Sequence, residues 1–285
     1  MTTFDFASGD GTPIRGITND GAGPAVLLCN GLGAPLSCWP LLARADAGLR
    51  VVSWDYRGLG GSARPVDRSR IDVADHVADA VALLDACGIE RAVVASWSIG
   101  VNVAFELAER HPSRVSGLLA VAGVPGGTFS AMFGPARRMP RARHAAALGV
   151  ARGLRLAGPA LGAVSRVTPV SRATAAVVRH TAMRPAARPE VVLPVLSEFR
   201  GHDFRWYFTL AVAMAEHRPM DLAFVECPAV LVAGRHDIVT SRHDMERAAA
   251  QIPHARLVTL DGSHFLPMER PEEITALLRG LASGS

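Results

Sequence analysis

The feature that most constrains the fold is an apolar strand that runs directly into a serine-bearing turn and a helix. Ala92–Ala95 is a continuous apolar run, typical of a strand buried on both faces of a parallel sheet. It ends at the pentapeptide Ser96–Gly100, after which apolar residues recur at helical spacing. Ser98 is therefore predicted to lie on a sharp, strained turn above a strand end. Such a turn needs small neighbours, and Ser96 and Gly100 are small.

Strand and helix patterns alternate from Ala25 onward, which predicts an α/β fold with a doubly wound, mostly parallel sheet. A hairpin comes first, and Ile71–Cys87 and Ser37–Arg44 are predicted to be helical. The predicted strands are Phe4–Ala7, Ile14–Thr18, Ala25–Cys29, Arg50–Tyr56, Ala92–Ala95, Val115–Ala122, Ala229–Ala233 and Arg256–Leu260.

The alternation stops in the middle of the chain. From about residue 126 to 222 no convincing strand occurs, and the segments are rich in Ala and Arg and interrupted by Pro. We predict a helical insertion over 126–222, between two parts of one core at 1–125 and 223–285. Residues 126–221 carry 14 Arg against five acidic residues, a net charge of +9, whereas the whole chain has +4 and no Lys. The remainder is thus acidic, at −5, which suggests two separate surfaces.

A basic run, Arg137–His144, lies in the insertion and contains Arg137, Arg138, Arg141 and Arg143. A solvated face explains such a run most simply. It could also form a rim that attracts acidic substrates or settles weakly on a lipid surface. Nucleic acid is not predicted as a partner, because the aromatic residues of the insertion are bunched near 199–208 and not interleaved with Arg. That bunch could roof an apolar acyl pocket or form the core of the insertion.

The serine turn resembles the G-x-S-x-G nucleophile elbow of the α/β-hydrolase superfamily, with Ser96 in place of the first glycine. The loop Asn30–Gly33 follows a strand, as the His-Gly-x-x-Gly loop of the superfamily does, with Asn30 in place of the histidine. The resemblance implies that the backbone N–H groups of Leu32 and Ile99 form an oxyanion hole. It also implies that the insertion is a cap, and that the turn 55–62 has a structural role.

Three residues of a catalytic triad follow separate strands in the order that the superfamily uses. Ser98, Asp237 and His264 each lie just beyond the carboxyl end of a predicted strand, where catalytic groups of parallel sheets gather. We therefore predict these three as the catalytic residues, since no carboxylate follows the preceding strand. Competing residues His236, His254, Asp244 and Asp261 lack this setting. Neighbours of the triad and of the loop are predicted to contact substrate: Gly31, Trp97 and Phe265.

Other kinds of site find no support in the sequence. No metal or cofactor motif is visible, and the four Cys are scattered without a C-x-x-C pair, so we predict neither metal nor cofactor. No run is long and apolar enough for a membrane span, and the first residues lack the pattern of a secretory signal. A cytoplasmic location is expected. Serine at position 98 excludes the nucleophilic aspartate of epoxide hydrolases and dehalogenases.

The predicted activity is hydrolysis of a carboxylic ester with a small or medium acyl group, through an acyl-enzyme intermediate. The same triad also serves thioesters, lactones, acyl transfer and cofactor-free perhydrolysis, because it specifies acyl chemistry and not the acyl group. A second class is a ligand-binding protein of the hydrolase fold with little or no activity. A lost triad residue would favour that class, and none is lost here. The sequence leaves the substrate and the oligomeric state open.

Overall fold

The computed structural model of the chain describes residues 1–131, 140–183 and 187–284. Its strands are β1 (Thr2–Ala7), β2 (Pro13–Thr18), β3 (Ala25–Cys29), β4 (Arg50–Trp54), β5 (Ala92–Trp97), β6 (Val115–Val121), β7 (Ala229–Gly234) and β8 (Ala255–Leu260). Within these ranges the strands form one sheet in the order β1-β2-β4-β3-β5-β6-β7-β8. β1, β2 and β4 pair antiparallel, and all other pairs are parallel. The predicted fold class is confirmed.

Helices cover both faces of the sheet. They are α1 (Val73–Ala86), α2 (Gly100–Arg110), α3 (Thr128–Ala131), α4 (Pro140–Val167), α5 (Arg172–Ala182), α6 (Pro189–Phe199), α7 (Phe204–Ala215), α8 (Arg242–Ala249), α9 (Leu266–Glu269) and α10 (Pro271–Ser283). Short 3-10 helices span Leu36–Cys38, Ala45–Ala47, Pro112–Arg114 and Leu222–Phe224. In the described ranges, no helix is long and apolar enough to cross a membrane.

The central strands are apolar throughout because both of their faces are buried. On β3, Leu27 belongs to the core that lies under α1, α2 and α8, whereas Val26 and Leu28 belong to the core under α10. Successive side chains of a strand point to opposite faces, so a strand covered on both sides needs apolar residues at every position. This arrangement places the carboxyl ends of the parallel strands β3 to β8 along one edge of the sheet.

The turn after β4 has the structural role that the resemblance implies. Arg57 is fully buried and forms ion pairs with Asp79 of α1 and with Asp10 of the β1–β2 turn. Burial opposes ionisation of Asp10, but hydrogen bonds from Thr12 and Arg57 outweigh it and lower the pKa of Asp10 to about 2. Because each charge of this network has a partner, the buried guanidinium ties the β1–β2 turn to α1.

Helices α3 to α7 follow one another between β6 and β7, and no described residue from 122 to 228 lies in a strand. α4 packs along α7, and α5 packs against α6. This arrangement agrees with a cap over 126–222 and a core made of 1–125 and 223–285, a division that we retain as a proposal. Of the basic run, Arg137 and Arg138 lie outside the described residues.

The segment Ser37–Arg44 is not the regular helix that its pattern predicts. It contains only the 3-10 turn Leu36–Cys38, followed by turns. Trp39 has φ −115° and ψ 73°, outside the helical region, and precedes Pro40. A proline disfavours the helical conformation of the residue before it, and this explains why the helix does not continue.

Candidate active site

The turn around Ser98 has the strained geometry that its sequence predicts. Ser98 joins β5 to α2 with a φ of 56°, in the left-handed region that a residue with a side chain rarely adopts. Its N–H donates to the Val121 carbonyl at 2.9 Å, which holds the strained residue against β6. A Cβ atom on Gly100 would collide with the carbonyl oxygens of Cys29 and Asn30. The turn therefore fits only because the residue two positions after Ser98 has no side chain.

Ser98, His264 and Asp237 form a continuous hydrogen-bonded chain. The Ser98 Oγ lies 2.8 Å from His264 Nε2, and the His264 Nδ1 lies 2.9 Å from Asp237 Oδ2. The Asp237 side chain is almost fully buried, and its second oxygen accepts hydrogen bonds from the N–H groups of Val239 and Thr240, each at 2.8 Å. A carboxylate fixed by two backbone donors can orient one tautomer of the imidazole toward the serine hydroxyl.

The loop that carries His264 is held from two sides. Trp97 Nε1 donates to the His264 carbonyl at 2.8 Å, so the residue before Ser98 also fixes the histidine backbone. On the other side, Glu269 accepts hydrogen bonds from the N–H and the hydroxyl of Ser263 at 2.6 and 2.7 Å. These contacts restrict the imidazole before any ligand binds, which is the preorganisation that acid–base catalysis requires.

The loop after β3 is anchored by the side chain of Asn30. Its amide donates to the carbonyls of Ala34 and Pro35 at 2.7 and 3.0 Å, and its oxygen accepts from Gly31 N–H and Trp39 Nε1. Asparagine thus fastens the loop at the position where the superfamily commonly has histidine. The substitution alters the anchor but leaves the backbone donors of the loop in place.

The two backbone groups predicted as oxyanion donors, on Leu32 and Ile99, belong to residues that line one cavity with Ser98. In the described part of the chain, neither N–H donates a hydrogen bond to another protein group. Backbone donors left without a protein acceptor beside a serine hydroxyl can bind an oxygen that gains negative charge.

The cavity lies between the sheet edge and the cap and has a volume of about 440 Å³. The predicted residues Gly31, Trp97 and Phe265 line it, as do Ser98 and His264. Asp237 does not line the cavity and lies behind His264, to which it is hydrogen-bonded. Most of the lining residues belong to the cap, chiefly to its helices α4 to α7, and are mainly Ala, Val, Leu and Phe. Among the described lining residues there is no Asp, Glu or Arg. Ligands with apolar groups are therefore favoured over ligands with buried charges.

Two aromatic residues of the cap reach the predicted oxyanion loop, Asn30–Gly33, and the sequence interpretation did not single out their role. His202 Nε2 lies 2.9 Å from the carbonyl oxygen of Gly33, and the Tyr207 ring packs against the same glycine. A Cβ on Gly33, which has φ 65°, would clash with both rings. Burial raises the pKa of Tyr207 to about 12, so this wall of the cavity stays uncharged. No local pattern marks His202, although it lies within the predicted aromatic bunch.

The cap is joined to α2 of the core by a second group of polar contacts. Asn102, fully buried, donates to Thr128 Oγ1 and to the Met214 carbonyl and accepts from Gly126 N–H. One turn further along α2, Glu106 pairs with His217, which follows the last cap helix. These contacts fix both ends of the cap segment on one helix of the core.

Of the competing residues, His236 and Asp261 pair with each other at 3.0 Å and are exposed. Asp244 lies within α8 and pairs with Arg143 of the cap. Neither pair lies among the residues that line the cavity. The geometry thus brings together the three predicted catalytic side chains and keeps these alternatives apart from them.

Comparisons with known proteins agree with the fold described above. Epoxide hydrolase A of Mycobacterium tuberculosis is 29% identical over 92% of this chain and 91% of the relative. The 3-oxoadipate enol-lactonase 2 of Acinetobacter baylyi is 28% identical over 87% of this chain and 85% of the relative. An enol-lactonase structure from Burkholderia xenovorans shares the fold with a TM-score of 0.74 and 22% identity, over 98% of this chain and 100% of that one. A family model described as alpha/beta hydrolase fold matches residues 24–271. The chain belongs to the alpha/beta hydrolase fold family.

Proposed function

We propose that this protein is a serine hydrolase that cleaves apolar carboxylic esters through an acyl-enzyme intermediate. The observation that carries the proposal is the hydrogen-bonded chain from Asp237 through His264 to Ser98, which ends in a cavity without charged lining residues among those described. The chain supplies the groups that activate a weak nucleophile. The cavity supplies a site for an apolar acyl group.

In the first half of the reaction, His264 takes the proton of Ser98 as the hydroxyl attacks the ester carbonyl. The carbonyl oxygen becomes an oxyanion, which accepts hydrogen bonds from the N–H groups of Leu32 and Ile99. His264 then gives the proton to the leaving alcohol, and the acyl group stays on Ser98. Asp237 keeps the imidazole oriented and stabilises its protonated form during both transfers.

In the second half, His264 takes a proton from water, which attacks the acyl-enzyme carbonyl. The tetrahedral intermediate uses the same two backbone donors, and its collapse returns the proton from His264 to Ser98. The acid product leaves, and the free enzyme is restored. Apart from this water molecule and the substrate, each step therefore uses only groups that this chain provides.

The substrate should be apolar near the scissile bond. A free carboxylate in the cavity would lose its hydration, and the described lining residues include no Arg to pair with it. The aliphatic side chains of the cap instead favour an alkyl or aryl acyl group. We accordingly propose neutral esters of small or medium acyl chains, and not anionic ones.

Lactone hydrolysis is the second candidate, favoured by the similarity to 3-oxoadipate enol-lactonase 2 over most of both chains. A lactone is a cyclic ester and would react through the same steps. Epoxide opening by a nucleophilic aspartate is not proposed, despite the similarity to epoxide hydrolase A, because residue 98 is serine.

The test combines covalent labelling with turnover. Wild-type protein should react with a fluorophosphonate probe and hydrolyse p-nitrophenyl esters from acetate to octanoate, and Ser98→Ala should do neither. A panel of neutral lactones and epoxides, assayed in parallel, separates the candidates. If the wild-type protein neither reacts with the probe nor turns over any ester, the hydrolase-fold ligand-binding class replaces the proposal.

A further inference from the structure

The outward face of α4 contains only two kinds of residue. From Arg141 to Val167, each exposed residue is Arg or one of Ala, Gly, Val, Leu and Pro. Large apolar side chains stand in solvent on this face, with exposed fractions of 78% at Leu156, 61% at Val164 and 81% at Val167. Leu156, Ala160, Val164 and Val167 follow one another at spacings of four, four and three, which places them on one stripe of the helix.

A stripe of this kind is unusual for a helix surrounded by water. The side of a surface helix that points away from the core normally carries charged and polar residues of both signs. Exposed apolar residues that form a contiguous patch mark a surface that contacts another molecule or a membrane. The buried side of α4 packs on α7, so the stripe does not belong to that contact.

The charge on this face has one sign. The segment of α4 and α5, residues 140–182, contains seven Arg and no Asp or Glu. Two of the seven are balanced by acidic residues from elsewhere, Arg143 by Asp244 and Arg152 by Glu216. Arg141, Arg166 and Arg172 are exposed on the same two helices. An apolar stripe bordered by Arg is the pattern of a helix that lies in the plane of a membrane surface.

The occupant that this pattern fits is an anionic lipid surface. Lipid headgroups would pair with the arginines, while the upper part of the acyl chains would cover the apolar side chains. A second copy of the chain docked through the same face would bring the arginines of both copies together, and like charges repel. A nucleic acid would leave the apolar stripe exposed.

The exposed side of α4 reaches the cavity at Val150. Val150 is 51% exposed on α4 and also lines the cavity, together with Leu154 of α4 and Val178 of α5. An apolar molecule that leaves the lipid at this point would meet apolar side chains along its path. We propose that this face, called here the α4 docking face, binds an anionic lipid surface, from which an apolar ester enters the cavity. The α4 docking face consists of the apolar stripe and the exposed arginines beside it: Leu156, Ala160, Val164, Val167, Arg141, Arg166 and Arg172. The entry of an ester rests on the proposed function, whereas the lipid contact does not.

The experiment measures flotation of the full chain with vesicles of phosphatidylcholine alone or with added phosphatidylglycerol. Ser98→Ala protein is used beside the wild type, so that binding is scored without turnover. Both should float with the anionic vesicles and less at high salt. The combined change Arg141→Gln, Arg166→Gln and Arg172→Gln should weaken binding about 10²-fold, because each arginine near a lipid surface contributes about fivefold. Leu156→Asp with Val167→Asp should abolish flotation, because the two carboxylates replace apolar side chains of the stripe with negative charges that anionic lipids repel.

Matched controls come from outside the cap. Val66→Asp matches Val167→Asp at an exposed valine of the core, and Arg256→Gln matches the arginine changes at an exposed residue of β8. Both variants should float like the wild type. All cap variants should hydrolyse a dissolved short ester at the wild-type rate. A protein that floats but lacks esterase activity contradicts the proposed function and leaves the docking face intact.

Three results would overturn the inference. The first is no flotation on either vesicle, and the second is equal flotation on both at every salt concentration. The third is a concentration-dependent dimer in light scattering that disappears in Val167→Asp, since the face would then join two copies of the chain.

Discussion

The core and the cap hold their parts of the cavity by different means. In the core, Ser98, Asp237 and the oxyanion loop are fixed by backbone geometry, by buried hydrogen bonds and by a close approach at Gly100. The cap is built from helices whose inner sides are mainly apolar, and its polar contacts with the core include those of His202 and Glu106. Under the proposed function, the core thus sets the chemistry, whereas the cap sets what can reach it.

This difference predicts that small changes in the core are severe and that equivalent changes in the cap are mild.

Asp237→Asn should lower kcat for a p-nitrophenyl ester by about 10⁴-fold. The new side chain can still accept hydrogen bonds from Val239 and Thr240 through its oxygen, so the fold should persist. Its amide would face Nδ1 of His264 and favour the wrong tautomer. The measurements are kcat and the melting temperature. A variant with normal activity would show that another residue orients the histidine.

Gly100→Ala and Gly149→Ala place the same methyl group in the core and in the cap. At Gly100 the methyl collides with two carbonyl oxygens under the nucleophile turn, so stability should fall by about 1–3 kcal/mol. Activity should fall by about 10²-fold or more, because the shifted turn misplaces an oxyanion donor. At Gly149, on the exposed side of α4, the methyl meets nothing within 4 Å and should raise stability by about 0.5–1 kcal/mol. Equal effects of the two substitutions would contradict the comparison.

Glu106→Gln tests the ionic contact between α2 and the end of the cap. Burial of Glu106 disfavours its charge, but the hydrogen bond and charge of His217, together with Arg110 and Arg218, outweigh burial and lower the pKa of Glu106. A lowered pKa in the folded state stabilises the fold above the pKa of the unfolded chain. This contribution is lost as the pH falls through the folded value.

The wild type should therefore lose stability below about pH 4.5, the ordinary pKa of this carboxyl group. Glu106→Gln should be less stable at pH 7 by about 1–3 kcal/mol, with a flatter dependence on acid pH. Unfolding by urea at several pH values gives both quantities. If the free energies of unfolding of the two proteins change in parallel with pH, ionisation of Glu106 contributes nothing to stability.

His202→Phe removes the hydrogen bond to Gly33 and keeps an aromatic ring in the cluster with Phe199 and Tyr207. We expect kcat to fall roughly fivefold, the equivalent of about 1 kcal/mol for one hydrogen bond, with little change in KM. His202→Gln, which can still donate to the Gly33 carbonyl, should recover part of the loss. A change in KM alone would indicate that His202 shapes the cavity and does not position the loop.

The sequence predicts the core well because the physical demands there are local. A strand buried on both faces must be apolar at each position, and a strained nucleophile turn must be flanked by small residues. Both demands can be recognised around Ser98 without knowledge of any distant contact. The order of Ser98, Asp237 and His264 then places three side chains at one sheet edge, where the distances of 2.8 and 2.9 Å are found.

The cap was predictable only as a helical segment. Its contacts with the core depend on which side of each helix faces inward and on residues far apart in the chain, such as His202 and Gly33. Neither the hydrogen bonds of Asn102 nor those of Asn30 leave a recurrent spacing in the sequence. The prediction of a helix at Ser37–Arg44 is wrong for a local reason and not because of distant contacts. Pro40 disfavours the helical conformation of Trp39, although the residues around it follow a helical pattern.

The contact between Trp97 and the loop that carries His264 should make the fluorescence of this indole sensitive to the position of the loop. Its ring centre lies 5.9 Å from that of His264 and 6.0 Å from that of Phe265, and its N–H is bound to the His264 backbone. Any movement of that loop must change the surroundings of the fluorophore. Since Trp39, Trp54 and Trp206 also fluoresce, the Trp97 signal is obtained as the difference between the wild type and Trp97→Phe, and this difference should follow turnover without a chromogenic substrate.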